Sequence, residues 1–287
     1  MSTISVVIPV KDRTEEILLC LDSVRRSIKD YVSSDPKGSV EILVVDDHSR
    51  IPLTDVINGS FGDVRVERLP ETSGPAIARN HGLRNTEGDI IAFTDSDCLV
   101  DSNWLKTIDD SLVGTNYGGV QGVPWAVASP HLWVAANEEI LARYIWESNY
   151  IEEGIVRLID TKNLSLMRDF VRERYEGYRV FPERIRIASN EDRIAGKEMT
   201  KEGGISWNPD MIVYHMNPRS FPGLLRQKYR HGMGAYHYYQ GDLRFLERLP
   251  RHFIEPIKSG VSLLYILPAH SAFWIGCYSE KIRKTQG

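Results

Sequence analysis

The triplet Asp95-Ser96-Asp97 comes just after the apolar run 90–93, where a predicted strand ends. Two carboxylates two positions apart at the end of a strand can both reach one hard divalent cation. Such ions often assist diphosphate chemistry, because they neutralise the charge that builds on a leaving phosphate. An acidic turn that caps the next helix is the alternative, and it is the usual explanation of an isolated Asp-x-Asp motif.

Two further features of the first half could bind a nucleotide. Asp46-Asp47 follows the predicted strand 40–45 (VEILVV), and one of the two carboxylates could accept a hydrogen bond from a base or a ribose. The Gly74-Pro75 turn opens a helical pattern that contains Arg79, so that a helix N-terminus and a guanidinium are available to a phosphate. A solvated turn and a plain loop-to-helix junction explain these two features equally well.

The second half supplies a candidate general base and a candidate metal ligand. Glu191-Asp192 begins a helical pattern, and a carboxylate within hydrogen-bond reach of a hydroxyl can deprotonate it for attack. Two acids in the first turn of a helix also suit the helix dipole, which is the purely structural explanation. His215 ends an apolar run and could join Asp97 around an ion such as Mn²⁺, although a lone histidine is more often structural.

These residues need elements that bring them together, and the residue pattern predicts an α/β fold. Strands are predicted over 4–10, 40–45, 64–69 and 89–94, with helices over 14–28, 51–59 and 74–84. Alternation of this kind is typical of a parallel sheet with helical crossovers, in which ligands bind beyond the carboxyl ends of the strands. The later pattern predicts a helix over 132–149, a strand over 160–166, a helix over 191–201 and a strand over 205–215. The acidic turns are therefore expected at one edge of the sheet.

Composition excludes several classes of protein. Of the 287 residues, 42 % are hydrophobic and 26 % are charged, which rules out wholesale disorder. The net charge of −4 argues against a broad nucleic-acid-binding surface. Three cysteines without metal-ligand spacing predict free thiols in a reducing, cytoplasmic compartment. The N-terminal apolar run is short and lacks a basic start, so it is interpreted as a first strand rather than a signal peptide.

Taken together, the motifs resemble family 2 glycosyltransferases of the GT-A fold. The resemblance covers roughly residues 3–235, and its blocks occur in the family's order: SVVIPVKDR, ILVVDDHS, GPAIARNHGL, GDIIAFTDSDC, TKNLSLMR, SNEDRIAGKEM and VYH. It implies a nucleotide-sugar-binding, Rossmann-like and mostly parallel sheet flanked by helices, with a helical C-terminal extension. The chain departs from the family at Lys11-Asp12 and at Ser189-Asn190, which leaves the donor sugar and the acceptor pocket open.

The resemblance also implies roles for individual residues. Asp192 matches the catalytic base, with Glu191 beside it. The nucleotide would be bound by Pro9, Asp46, Asp47, Arg79, Asp95 and Ser96. A divalent metal, Mn²⁺ or Mg²⁺, would be held by Asp97, Asp95 and His215. Lys162 and Asn163 would lie on the acceptor or sugar side.

The implied reaction is an inverting transfer from a nucleotide-diphosphate sugar, with UDP as the expected nucleotide, to an acceptor hydroxyl. The acceptor would be a carbohydrate or a lipid-linked group, as in polysaccharide, glycolipid or glycoconjugate synthesis. A catalytically inactive binding module of the same fold remains an alternative. A sugar nucleotidyltransferase is less favoured, because no glycine-rich loop follows the first strand. A dinucleotide-dependent dehydrogenase is not favoured either, because this chain has no G-x-G-x-x-G motif after that strand.

The chain is predicted to divide into a glycosyltransferase domain over 1–220 and a helical extension over 221–287. Within the first domain, residues 1–100 would bind the nucleotide and residues 101–220 the acceptor. The extension begins basic and aromatic, and its residues 261–278 contain no Asp, Glu, Lys or Arg. An interfacial hairpin, a packed core segment and a membrane span are the three interpretations. Peripheral contact with the inner face of a membrane is therefore expected through 253–284.

Overall fold

The computed structural model of the chain describes most of the sequence. The described residues are 2–34, 38–127, 136–137, 140, 151–152, 155–156, 158–185, 190–201, 204–216, 220–243 and 262–285. The helix predicted over 132–149 lies almost entirely outside them, as does the first part of the segment 253–284. The remaining predicted elements can be compared with the structure directly.

The first half alternates strands and helices, as the sequence pattern predicts. Its elements are β1 (Thr3–Val10), α1 (Thr14–Ser34), β2 (Ser39–Asp46), α2 (Thr54–Asn58), β3 (Arg65–Arg68), α3 (Pro75–Arg84), β4 (Ile90–Phe93), β5 (Cys98–Val100) and α4 (Trp104–Leu112). The short strand β5 was not predicted, because three residues are too few to show a periodicity. It begins directly after the turn that carries Asp95 and Asp97.

The second half is less regular. Its elements are β6 (Gly119–Val127), β7 (Ile151–Glu152), β8 (Ile155–Val156), β9 (Leu164–Met167), α5 (Arg168–Arg174), α6 (Glu191–Met199), β10 (Ile205–Met216), α7 (Phe221–Tyr238) and α8 (Leu263–Thr285). The strand predicted over 160–166 is wrong in its first part. Residues Thr161–Asn163 form a short 3-10 turn instead, and the strand starts at Leu164.

Eight strands form one sheet in the order β3-β2-β1-β4-β9-β6-β10-β5. The pairs β3–β2, β2–β1, β1–β4 and β6–β10 are parallel. Strand β9 runs antiparallel between β4 and β6, and β5 runs antiparallel to β10. The predicted α/β class with a mostly parallel sheet flanked by helices is confirmed. The carboxyl ends of β1, β2 and β4 lie together, which places the acidic turns at one edge.

Strand β1 is the centre of the core, and its sequence explains why. Its residues 4–10 are all buried, because helices cover both faces of a parallel sheet of this type. Helix α3 packs on the strand at Gly82, where an added Cβ would lie 2.3 Å from Val7 Cγ1. This close approach holds α3, and with it Arg79, against the sheet.

The helices α7 and α8 pack against each other at the C-terminus. They approach closely at two glycines: a Cβ at Gly232 would lie 1.9 Å from the Phe273 carbonyl oxygen, and one at Gly276 would lie 2.0 Å from the Tyr229 carbonyl oxygen. Among the described residues, no helix combines the length and the apolar character needed to cross a bilayer. The domain boundary expected at residue 220 stays a prediction.

Candidate active site

The site begins at the turn between β4 and β5, which brings Asp97 next to His215. Strand β5 pairs with the end of β10 in a register that sets His215 opposite Cys98. The backbone N–H of Met216 donates to the carbonyl of Asp97 over 2.8 Å, which fixes the two segments to each other. The Nε2 atom of His215 consequently lies 3.5 Å from Asp97 Oδ2.

The Asp97 carboxylate is buried and surrounded by cationic groups. Arg13, which follows β1, places Nη1 2.8 Å from the same Oδ2 atom. Burial by itself would raise the pKa of Asp97, but His215, Arg13 and Lys162 outweigh burial and hold that pKa well below its usual range. Asp97 is therefore an ionised carboxylate at neutral pH. An ionised carboxylate beside an imidazole is a donor pair that fits Mn²⁺ or Mg²⁺.

The Asp95 carboxylate pairs with Arg79. The Arg79 side chain is buried, with Nη2 2.7 Å from Asp95 Oδ1 and Nη1 2.6 Å from Glu191 Oε1. Within the described part of the chain, no three His, Cys, Asp or Glu side chains cluster as metal ligands. Asp97 and His215 lie next to each other in this structure, and the expected ligand set of Asp95, Asp97 and His215 stays a prediction.

Arg79 connects the acidic turn to the start of α6. Burial alone would lower the pKa of Arg79, but Asp95 and Glu191 raise it, so the guanidinium remains charged. Burial raises the pKa of Glu191 to about 7, against the opposing effect of Arg79. Glu191 Oε2 and Arg79 Nε are buried and have no hydrogen-bond partner in the described structure. Arg79 was expected near the nucleotide, and the structure shows it as the bridge between Asp95 and Glu191.

Asp192 is the second residue of α6 and lies near a second ion pair. The helix starts after Asn190, whose φ of 62° is left-handed, so the chain turns sharply before the two acids. Burial raises the pKa of Asp192, and the negative charge of Asp160 raises it further. Asp160 in turn binds Lys162, with Nζ 2.6 Å from Oδ2. A carboxylate with a raised pKa holds a proton more readily than an ordinary aspartate, which suits a general base.

A buried network of amide side chains holds the turn that carries Lys162. Gln121 Nε2 donates to the carbonyl oxygens of Gly122, Asp160 and Asn163, and its Oε1 accepts from the Asp160 N–H. This network explains why the chain forms a tight turn here instead of extending the strand as predicted. Lys162 keeps a quarter of its side chain exposed and lies at the site.

Asn163 occupies a different place from the one that the resemblance implied. Its side chain is fully buried, with Nδ2 donating to the carbonyls of Val123 and Met211 and Oδ1 accepting from Trp104 Nε1 over 2.8 Å. All of its polar atoms are therefore bonded within the protein. In this structure Asn163 holds the sheet and the turn together, and a contact with a sugar stays a prediction.

The other predicted nucleotide contacts lie at the ends of β1 and β2. The Asp46 carboxylate is fully buried and accepts from the Ser49 N–H and from Arg68 Nη1 at 2.6 Å. The Asp47 carboxylate accepts from the N–H groups of Ser73 and Gly74, which fixes the loop before α3. Both carboxylates fix loops at this edge of the sheet, and a direct hydrogen bond from a base to Asp46 stays a prediction.

Pro9 and Ser96 lie at the same edge of the sheet. Pro9 is buried in β1, one position before the strand ends, and pairs with Val45 of β2. Ser96 is buried in the turn between Asp95 and Asp97. The structure thus brings these two predicted residues close to the acidic turns in the fold, and their contacts with a nucleotide stay predictions.

Sequence reasoning missed four residues of the site: Arg13, Asp160, Arg230 and His231. The charges of Arg13 and Asp97 act on Arg230, whose pKa is lowered chiefly by burial. Burial and nearby cations, Lys162 among them, lower the pKa of His231 well below its usual value. The basic segment 226–231 was the sequence signal that could have pointed to Arg230 and His231. Periodicity could not show that α7 packs beside α6. In the structure the Asn190 side-chain amide, at the start of α6, donates to the His231 carbonyl over 3.3 Å.

Comparison with known proteins identifies the class to which this fold and site belong. The sequence profile described as Glycosyl transferase family 2 matches residues 5–174, more than half of the chain. The chain belongs to this family and is a glycosyltransferase. The family resemblance drawn from the motifs is therefore confirmed.

Individual relatives agree with this assignment. The chain is 28 % identical to the glycosyltransferase AglE of Haloferax volcanii over 86 % of this chain and 77 % of that protein. It is 35 % identical to the poly(ribitol-phosphate) beta-glucosyltransferase of Bacillus spizizenii over 42 % of this chain and 19 % of that protein. The chain thus spans most of the first relative and about a fifth of the second.

Two solved structures share the fold. The mannosyltransferase PcManGT from Pyrobaculum calidifontis, in complex with GDP-Man and Mn²⁺, superposes with a TM-score of 0.59 at 17 % identity, covering 98 % of this chain and 73 % of that one. Residues 1–349 of S. aureus TarS in complex with UDP superpose with a TM-score of 0.55 at 15 % identity, covering 99 % and 92 %. At these identities the likeness establishes the GT-A fold.

Proposed function

We propose that this glycosyltransferase moves a sugar from a nucleotide-diphosphate sugar to an acceptor hydroxyl with inversion at the anomeric carbon. The observation that carries the proposal is the double ion pair of Arg79, which joins the acidic turn at Asp95 to the start of α6 at Glu191. Through this bridge a candidate metal pair and a candidate base lie in one site. Neither element could form such a site alone.

Asp192 is the proposed general base. Its raised pKa favours proton uptake from the acceptor hydroxyl as that oxygen attacks the anomeric carbon, and the diphosphate leaves from the opposite face. Glu191, paired with Arg79, holds the first turn of α6 in place. Lys162, beside Asp160, supplies a positive charge on the acceptor side.

Asp97 and His215 are the residues that would hold Mn²⁺ or Mg²⁺. When bound, the cation neutralises charge on the leaving diphosphate. Arg13 contacts the same carboxylate, and its guanidinium would attract the diphosphate. The relatives and solved structures support a nucleotide-sugar donor, with UDP and GDP as the two bases to test and with a carbohydrate or lipid-linked acceptor.

Calorimetric titration of UDP and of GDP, each with Mn²⁺ and with EDTA, tests the proposed function. We expect one nucleotide to bind at micromolar concentration and only with the metal. Asp97→Ala should reduce the affinity in Mn²⁺ to the value in EDTA, because it removes the charged half of the ligand pair. Asp210→Ala, a change of an exposed aspartate on β10, should leave both values unchanged.

The other outcomes of this titration are informative. Binding that is equally tight with and without metal would keep the nucleotide pocket and contradict the Asp97–His215 site. Absence of binding by both nucleotides, together with absence of transfer from any donor, would favour the inactive binding module over the enzyme.

A further inference from the structure

Helix α8 carries apolar side chains on two opposite faces. One face packs against α7 through buried residues, including Tyr265, Ile266, Ala269 and Cys277. On the opposite face, exposed apolar residues recur at intervals of one or two helical turns. Its members are Leu263, Leu264, Leu267, Trp274, Ile275, Tyr278 and Ile282. We call this set the apolar stripe of α8.

The stripe is unusual for the surface of this protein. In the described part of the chain, fourteen large apolar side chains are exposed, and seven of them lie on this one helix. The other seven are scattered over different elements and need no explanation. Leu264 is 77 % exposed and Ile275 is 59 % exposed, so packing within the chain does not account for them. A contiguous apolar stripe of this kind marks an interaction surface.

The charges around the stripe are positive. Lys281, Arg283 and Lys284 are exposed in the last turns of α8. The acid of that helix, Glu280, is fully buried and binds His237 of α7 and Arg283. Helix α7 contains no acid at all, and its Arg226 and Arg230 are exposed. The last turns of α8 therefore present cations on the helix that carries the apolar stripe, and α7 adds no negative charge.

This local pattern belongs to a division of charge along the whole sequence. Residues 221–287 contain ten Lys and Arg against four Asp and Glu, a net charge of +6. Residues 1–220 contain 25 against 35, a net charge of −10. A positive extension on an acidic protein is typical of binding to an anionic surface. The nearly neutral total conceals this asymmetry.

We propose that α8 lies along an anionic phospholipid surface, with the apolar stripe inserted among the head groups and with Lys281 and Lys284 on acidic phosphates. Apolar burial and attraction between cations and acidic lipids are the two contributions that bind interfacial helices. Trp274 and Tyr278 suit this depth, because amphipathic rings favour the membrane–water interface. A second copy of the chain fits less well, since two positive surfaces would face each other.

The packing of α7 connects this surface to the candidate active site. Lys197 of α6 donates to the Tyr238 carbonyl over 3.2 Å and lies 3.8 Å above the Tyr238 ring. Helix α6, which carries Asp192, is thus held on α7, and α7 is held on α8. This arrangement favours a lipid-linked acceptor, a consequence that rests on the proposed function. Lipid binding itself does not depend on it.

Flotation of the purified chain with vesicles tests the proposal. We expect the protein to float with phosphatidylcholine vesicles that contain about 30 % phosphatidylglycerol, and to float less with pure phosphatidylcholine. The double variant L264S/I275S should bind the anionic vesicles at least about tenfold more weakly, because it removes two exposed side chains of the stripe. The matched double variant L19S/I51S changes two exposed apolar residues elsewhere and should bind like the unaltered chain.

A second variant tests the charges. K281E/K284E should weaken binding by about fivefold or more per cation, and high salt should weaken binding of the unaltered chain in the same direction. The melting temperature of each variant should match that of the unaltered chain. Nucleotide titration of the same samples without lipid reports the proposed function separately, so that its failure and the failure of lipid binding are distinguishable.

Three results would overturn the proposal. The first is failure of the unaltered chain to float with anionic vesicles, and the second is flotation of L264S/I275S equal to that of the unaltered chain. The third is a combination of two observations: the chain binds no vesicle, and sedimentation shows a dimer that the L264S/I275S substitutions dissociate. The apolar stripe would then be the interface with a second copy of the chain.

Discussion

At the scale of single residues, the candidate site depends on how buried charges are partnered. Asp97 is held ionised by His215, Arg13 and Lys162, while Glu191 and Asp192 have raised pKa values because burial disfavours their charged forms. The Asp97 carboxylate is thus suited to bind a cation, and the Asp192 carboxylate to accept a proton. Through Asp95 and Glu191, Arg79 joins the turn that carries Asp97 to the helix that carries Asp192.

The role of Asp192 predicts a separation of binding from transfer. Asp192→Asn should retain metal-dependent nucleotide affinity and lower the rate of sugar transfer by about 100-fold or more, the usual contribution of a positioned base. Calorimetry and a product assay on the same preparation measure both quantities. Asp210→Asn, on an exposed part of β10, is the control and should keep full activity. Unchanged turnover of Asp192→Asn would contradict the assignment.

The buried amide of Asn163 predicts a loss of stability. Asn163→Ala should lower the free energy of unfolding by about 2–4 kcal/mol, because Trp104 Nε1 and the carbonyls of Val123 and Met211 lose a partner in the core. Urea denaturation measures the change. Asn116→Ala, at an exposed position, should stay within about 0.5 kcal/mol. If Asn163→Ala kept its stability and lost only transfer, the residue would face the sugar after all.

At the scale of elements, the site is built by pairing and packing between distant segments. The antiparallel pair β5–β10 sets His215 beside Asp97, and the packing of α6 on α7 brings His231 towards the start of α6. The C-terminal helices are joined by backbone contact at two glycines. Helix packing this close leaves no room for a side chain at either position.

Gly276→Ala tests the closeness of α7 and α8. Although alanine favours a helix by about 1 kcal/mol over glycine, its Cβ would lie 2.0 Å from the Tyr229 carbonyl oxygen. We expect a net destabilisation of about 1–3 kcal/mol and faster proteolysis within the two helices. Thermal unfolding and limited proteolysis measure these effects. Gly62→Ala, where an added Cβ meets no atom within 4 Å, should be tolerated, and equal behaviour of the two variants would refute the packing argument.

At the scale of the whole molecule, two surfaces with different chemistry share one chain. The sheet edge gathers acids and buried cations into a candidate catalytic site, whereas α7 and α8 present an apolar stripe with exposed lysines and arginines. Helix α6 lies between them, because it carries Glu191 and Asp192 and packs on α7. The vesicle experiment tests whether α7 and α8 form a membrane-binding surface separate from the catalytic site. This property belongs to the whole molecule, since no single residue accounts for the net charge of +6 in residues 221–287.

The sequence by itself determined the family, the alternation of strands and helices in the first half, and the clustering of acidic turns at one sheet edge. These features are local or periodic, so that a buried parallel strand shows itself in a run such as residues 4–10. It also determined the beginning of α6 at Glu191 and most of β10. The same reasoning misjudged the start of β9, because the turn at Thr161–Asn163 depends on Gln121, some forty residues earlier in the chain.

Only the tertiary structure decided how the polar side chains are partnered. The sequence could not show that Asp95 binds Arg79, or that Asn163 is enclosed by the core. It also could not show which face of α8 is covered by α7 and which is left as the apolar stripe. The physical reason is common to all three: a charge, an amide or an apolar face is satisfied by neighbours in space, and those neighbours come from segments that no local pattern connects.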